Sequence, residues 1–134
     1  MYFYEHTIAT DRNQQMIKVT GTIREDLKKS GVTEGIIVVY SPHTTAGFTI
    51  NENADPDVVH DILHGFERVF PTSQPFYRHA EGNSHAHMKT SLVGASQTLI
   101  VHEGKIVTGI WQDLYFCDFD GPRNRHFYVK ILEG

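Results

Sequence analysis

Hydrophobic and polar positions alternate along parts of this chain and elsewhere fall into helical spacing, and each change of period predicts an element. Residues 3–9 read as a first strand. Residues 16–20 read as a second, with Met16, Lys18 and Thr20 on one side and Ile17 and Val19 on the other. Thr22 and Glu25 have the separation of a reciprocal helix cap, and Gly31 is placed to end the short helix that follows. The β-branched apolar run 35–40 predicts a central strand covered on both faces, and 47–50 continues the sheet. Asp55 supplies an N-cap and Pro56 a favoured first helical residue. Val58, Val59, Ile62, Leu63, Phe66, Val69 and Phe70 then recur at helical spacing up to Pro71.

Beyond Pro71 the chain is polar and irregular as far as Ser84, and 86–92 predicts a short helix or turn ending near Gly94. Residues 97–101, 105–119 and 125–132 predict successive antiparallel strands, the first two joined at Glu103-Gly104. Strands first, helices interrupting them and a run of strands at the end predict an α+β class. The expected architecture is one domain over 1–134, with a mostly antiparallel sheet and two or three helices.

Composition narrows the function classes. With 134 residues, 40% hydrophobic and 21% charged, the chain can bury a real core, and it lacks the extremes of a disordered or coiled-coil sequence. A net charge of −4 argues against a protein whose main task is to coat nucleic acid, which draws on clustered Lys and Arg. Cys117, the one cysteine, has no intrachain partner, which fits a reducing cytoplasm. No apolar run approaches the roughly 18 residues of a membrane span, and the first residues lack a signal-like pattern, so a soluble cytoplasmic protein is expected. The aromatic residues Trp111, Tyr115, Phe116 and Phe119 suggest a sheet face that a second copy could cover.

The chemistry concentrates in three places. Residues 77–89 place His79, His85 and His87 beside Glu81, a density of imidazole and carboxylate that packing does not require. His43 follows an apolar run in a Ser-Pro-His-Thr-Thr-Ala loop, so a strand can carry it into the same space. Imidazoles converging from separate loops are an ordinary way to hold a divalent transition metal. Arg123 and Arg125 flank a Gly-Pro turn among acids, and guanidinium forks suit phosphate or carboxylate. Two other groups weigh less. His60 and His64 mimic a metalloprotease pair, but they lie nearly opposite the apolar stripe of their helix and should face water. Asn51 and Glu52 follow the strand after His43 and could face a site, whereas Asp55 is accounted for as a cap.

Six blocks then fall in order: residues 41–46, 51–56, 79–83, 86–89, 109–112 and 120–123. Together they resemble the YjbQ-like family, also called UPF0047, over nearly the whole chain. That resemblance implies a β-sandwich core, a homotrimer with sites near subunit boundaries, and a metal ion, zinc being the first expectation. It implies His43, His79 and His87 as metal ligands, and a secondary thiamine phosphate synthase activity. On that basis Arg123 and Lys89 contact phosphate oxygens, Glu52 or Glu81 serves as general base, and magnesium could accompany a diphosphate substrate. The partner expected is a small phosphorylated metabolite, with no nucleic acid and no membrane. Metal-dependent hydrolysis of such a metabolite is the alternative chemistry, and a non-catalytic trimeric binding module is a third possibility. Two positions depart from the family pattern: His85 stands where an acid is common, adding a spare imidazole near the metal, and Asp118 stands where glutamate is usual.

Overall fold

The computed structural model describes residues 2–134. Two antiparallel sheets face one another across the main core. The first has the order β1 (Tyr2–Ala9), β8 (Asn124–Glu133), β3 (Gly35–Tyr40), β5 (Ser96–His102) and β6 (Lys105–Ile106). The second has the order β2 (Gln15–Lys18), β7 (Gln112–Asp118) and β4 (Ala46–Glu52). Three helices complete the fold: α1 (Thr20–Ser30), α2 (Pro56–Val69) and α3 (Ser84–Val93). Every strand pairing among the described residues is antiparallel. The class is therefore the expected α+β single domain, and its connections are hairpins and loops instead of βαβ crossovers.

The inward faces of the sheets meet through aromatic edges. Phe48 packs edge-on against Phe116 and Phe127, at ring separations of 5.4 and 5.5 Å. Ile37, Val39, Val129 and Ile131 line the five-stranded side, and Ile23 and Leu27 of α1 join the same core. A second, smaller cluster lies on the other face of the three-stranded sheet. There Tyr115, Cys117 and Phe119 meet Ala86 of α3 and Val59, Leu63 and Phe66 of α2. Burial of the Cys117 thiol pushes its pKa up to about 12, so it is an inert core residue.

Several elements differ from expectation for identifiable reasons. The β2 ladder to β7 runs to Lys18, and the Val19 N–H continues it to Leu114 O at 2.9 Å. Helix α1 then starts at Thr20, so Thr22 and Glu25 lie inside it and cap nothing. Its far end is as predicted, with Gly31 at φ 71° and its N–H returned to Leu27 O. Strand β3 is central in hydrogen bonding but is covered on one face only. Ile36 is 39% and Tyr40 49% exposed, because nothing among the described residues packs on the outer side. The expected strand 105–119 is broken in two. After Val107, whose N–H still reaches Ile100 O at 2.8 Å, residues 108–111 leave the ladder, with Trp111 60% exposed in that loop while Tyr115, Phe116 and Phe119 are buried. The Glu103-Gly104 turn has positive φ at both residues (51° and 75°), the hairpin geometry whose twist suits β strands. Helix α2 matches closely, with Asp55 Oδ1 accepting from Asp57 N at 2.9 Å. None of its residues is fully buried, however.

Candidate functional site

Three segments converge at the end of the sandwich where β4 begins and β7 ends. The loop after β3 carries His43. Ser41 Oγ pins that loop, donating to Ala46 O at 2.7 Å and accepting the His43 N–H at 3.2 Å. The segment before α3 brings His79, Glu81 and Asn83, and the first turn of α3 brings His87. The corner between β7 and β8 brings Asp120, Arg123 and Arg125. These residues line one cleft of about 390 Å³.

The corner is built on Asp118. Its buried carboxylate receives Arg125 Nε and Nη2, the Thr10 hydroxyl and the Asp120 N–H. Burial would raise its pKa, but the Arg125 and Thr10 donors hold it below the usual carboxylate range. Arg125 also donates to Thr45 Oγ1 at 2.9 Å, tying the His43 loop to the corner. Asp118, where the resemblance led to an expectation of glutamate, is thus a structural anchor behind the cleft. Arg123 folds back on Asp120, with Nε to the main-chain O at 2.8 Å and Nη2 to Oδ2 at 3.1 Å. Its other Nη has no partner among the described residues, and the side chain is 52% exposed.

Asn83 bridges the two sides, its Nδ2 reaching Asp120 Oδ2 at 2.9 Å and Glu81 Oε2 at 3.5 Å. That geometry fixes which end of the amide faces the carboxylates. Asn83 Oδ1 is left buried with no hydrogen-bond partner among the described residues, an acceptor beside the cleft. Sequence reasoning passed over Asn83 as a site residue. The available signal was its place just before α3, where an Asn should cap; it does not, because its side chain is engaged by Asp120.

The three expected metal ligands share the cleft but do not form a ligand set. His43 Nε2 accepts the His126 N–H at 2.9 Å, so its lone pair is occupied and its other ring nitrogen carries the proton. Burial, then Arg125, lowers the His43 pKa, which agrees with a neutral ring. The His79 and His87 rings sit edge to face with centroids 5.5 Å apart. Among the described residues no three His, Cys, Asp or Glu side chains are gathered to hold a metal. The residues present do not fit the three-histidine centre that the resemblance implied.

Two expected catalytic residues lie elsewhere. Glu52 ends β4, six residues beyond Ala46, and at about 3.4 Å per residue that places it roughly 20 Å from the cleft end. Its carboxylate accepts the Ala54 N–H at 2.9 Å and so closes its own loop. Lys89 is fully buried on α3 with Nζ 2.5 Å from Glu67 Oε2, because helical rotation turns it away from His87 and toward α2. His85 is likewise buried, at 4% exposure, and neither ring nitrogen has a partner among the described residues, so it adds no imidazole to the cleft. Of the expected catalytic group, Glu81 and Arg123 remain in place.

The chain is thus an antiparallel two-sheet α+β protein with a cleft of histidines, carboxylates and arginines at one end of the sandwich. The family profile described as UPF0047 protein YjbQ-like matches residues 4–134, and the chain belongs to that family. It is 50% identical to UPF0047 protein YugU of Bacillus subtilis over 93% of this chain and 95% of that protein. It is 49% identical to a UPF0047 protein of Methanocaldococcus jannaschii over 96% of this chain and 93% of that one. A crystal structure of an uncharacterized YjbQ/UPF0047 protein from Clostridium acetobutylicum matches with a TM-score of 0.94 at 50% identity, covering 96% of this chain and 99% of that one. A YbjQ-like protein of unknown function from Sulfolobus solfataricus gives a TM-score of 0.94 at 32% identity, over 99% and 97% of the two chains.

Proposed function

We propose that the cleft binds a small phosphorylated metabolite and catalyses group transfer on it, in the manner of a thiamine phosphate synthase. The observation that carries the reading is convergence. Three segments far apart in sequence bring His43, then Glu81, His79 and His87, and then Arg123 to one hollow that the core does not need. In such a transfer the thiazole nitrogen of one substrate bonds the methylene carbon of an aminopyrimidine diphosphate. The carbon–oxygen bond breaks, and diphosphate leaves with the electron pair. The burden on the protein is to meet departing negative charge. The free edge of Arg123 supplies donors for it, and the neighbouring imidazoles supply ring N–H groups. Glu81 and the unpartnered Asn83 Oδ1 accept from amino or hydroxyl groups of the substrate. Because the rings are not arranged as ligands, no step here is routed through a metal ion.

The experiment is direct. Purified protein is incubated with both substrates while thiamine phosphate is followed, alongside a thermal-shift panel of phosphorylated metabolites. Product formation that Arg123→Gln weakens at least tenfold supports the reading. Phosphate released without the thiazole acceptor points to hydrolysis instead, and tight binding without turnover points to a binding module. Neither product nor stabilisation by any phosphorylated compound sinks it.

The same reading includes a homotrimer in a cytoplasmic setting. What supports assembly is the outer face of the five-stranded sheet, where Leu132, Ile36 and Ile100 lie side by side and, across Lys130 from them, Phe3 and Tyr40 flank Tyr128. Exposed apolar rows of this kind on a sheet face are seldom left to water.

A further inference from the structure

Helix α2 carries another pair of imidazoles, well apart from the cleft. His60 and His64 stand one turn apart with stacked rings, centroids 4.0 Å apart and planes inclined at 28°. Each Nδ1 is engaged. His64 Nδ1 lies 2.8 Å from the His60 carbonyl oxygen, and His60 Nδ1 lies 3.0 Å from Asp61 Oδ1. A carbonyl oxygen can only accept, so His64 carries a proton on Nδ1, and the Asp61 carboxylate selects the same tautomer in His60. In both neutral rings the lone pair is then on Nε2. This is the opposite of His43, whose Nε2 lone pair is taken by a backbone N–H. Orientation of a ring by a carbonyl or carboxylate on its far nitrogen is the arrangement that prepares a histidine to ligate.

We propose that His60 and His64 form a two-imidazole site for a divalent late transition-metal ion. Residues four apart on a helix face the same way, so both rings can reach one ion. With metal–nitrogen bonds of about 2.0–2.1 Å at a near-tetrahedral angle, the two Nε2 atoms must lie roughly 3.3 Å apart. Stacked 4.0 Å apart, the rings aim their in-plane lone pairs nearly parallel, so metal binding must open the stack, and His60, with its side chain 62% exposed, has the room to turn. Both histidines line a hollow of about 880 Å³ between β2 and α2, together with Arg12, Lys18 and Tyr115. Two protein ligands leave the other coordination positions to water or an oxygen donor. The site is therefore a weak, exchangeable one, and imidazole donors favour copper, nickel and zinc over magnesium or calcium.

The test uses Cu²⁺ and Zn²⁺ alone as probes of chelator-treated protein. A background with His43, His79 and His87 all changed to Gln removes the cleft imidazoles, so the result is independent of the reading of that cleft. Calorimetry should find one ion per chain in this background, and the electron paramagnetic spectrum of the copper form should show coupling to two nitrogens. Adding His60→Gln or His64→Gln should lower affinity at least tenfold and remove one nitrogen coupling. Circular dichroism confirms that each variant keeps its fold, as expected for exposed positions. An affinity that falls less than tenfold, or a spectrum that either change leaves intact, overturns the proposal.

Discussion

Arg125 closes a guanidinium fork on both carboxylate oxygens of Asp118, at 3.1 and 2.7 Å, with the two side chains 6% and 0% exposed. The pair joins the last residue of β7 to β8, and through Thr45 it fixes the loop that presents His43. Removing the anion while keeping its shape strands a buried guanidinium. Asp118→Asn should therefore cost about 3–5 kcal/mol, the usual consequence of breaking a buried pair. Urea denaturation measures it. A loss below about 1 kcal/mol would show that Arg125 escapes to solvent when its partner goes.

The Lys89–Glu67 pair makes an unequal prediction. Lys89 is fully buried and Glu67 is 38% exposed, and Lys89 with Thr72 draws the Glu67 pKa down to about 2 against the effect of burial. Glu67→Gln leaves an unpaired buried ammonium, whereas Lys89→Met leaves a carboxylate that can turn toward water. The first change should destabilise more than the second, with the double variant recovering part of the loss. Equal losses in the two single variants would argue that the ion pair contributes through packing and not through charge.

Helices with strong local signals were legible in the sequence, and side-chain destinations across elements were not. Asp55, Pro56 and the apolar stripe of α2 describe a helix that needs no distant partner to be recognised. The start of α1 depends on how far β7 pairs with β2, a contact between segments about a hundred residues apart in sequence, and local capping logic misplaced it. In the site, His43, His79, His87, Glu81 and Arg123 were found because loops rich in such groups rarely serve packing. Glu52 and Lys89 misled for opposite reasons. One lies at the far end of a strand whose near end touches the site, and the other lies on the far side of a helix whose near side does.

Two histidines set an acid limit on the fold. Burial, then Arg125, lowers the pKa of His43, and burial, then Lys89, lowers that of His85. Both groups bind a proton less readily folded than unfolded. Their contribution is fully present above the unfolded value of about 6.5 and is lost as pH falls toward the folded values. Asp118 and Glu67 titrate well below this window. Stability should therefore begin to decline as pH drops below about 7, with a slope of up to ~1.4 kcal/mol per pH unit for each histidine. His85→Leu should flatten the decline, and a slope unaltered by that change would exclude His85 as its source.

The outer sheet face offers a test of assembly that does not disturb the core. Ile100 is 58% and Leu132 44% exposed, so the double change Ile100→Lys, Leu132→Lys removes apolar surface without burying charge in a single chain. Light scattering after size exclusion should then show a trimer for the unaltered protein and a smaller species for the variant, with thermal stability reduced in step. A monomeric unaltered protein, or an unchanged trimer in the variant, would mean this face is not the one that associates.

The final prediction separates residues that share the cleft from those that only resembled site residues in sequence. Arg123 has an uncommitted Nη and half-exposed donors, so Arg123→Gln should weaken binding of a phosphorylated metabolite about tenfold, in line with the loss of a charge-assisted hydrogen bond of roughly 1.5 kcal/mol. Its partner Asp120 can still bond Asn83, so the fold should hold. Glu52→Gln, roughly 20 Å away by the length of β4, should leave binding and turnover unaltered. Lys89→Met should lower stability while leaving affinity unchanged at temperatures where the variant stays folded, since its ammonium contacts Glu67 and not the cleft. Titration calorimetry on all three variants decides the matter. Weakened binding in the Glu52 variant, with Arg123→Gln neutral, would move the site to the opposite end of the sandwich.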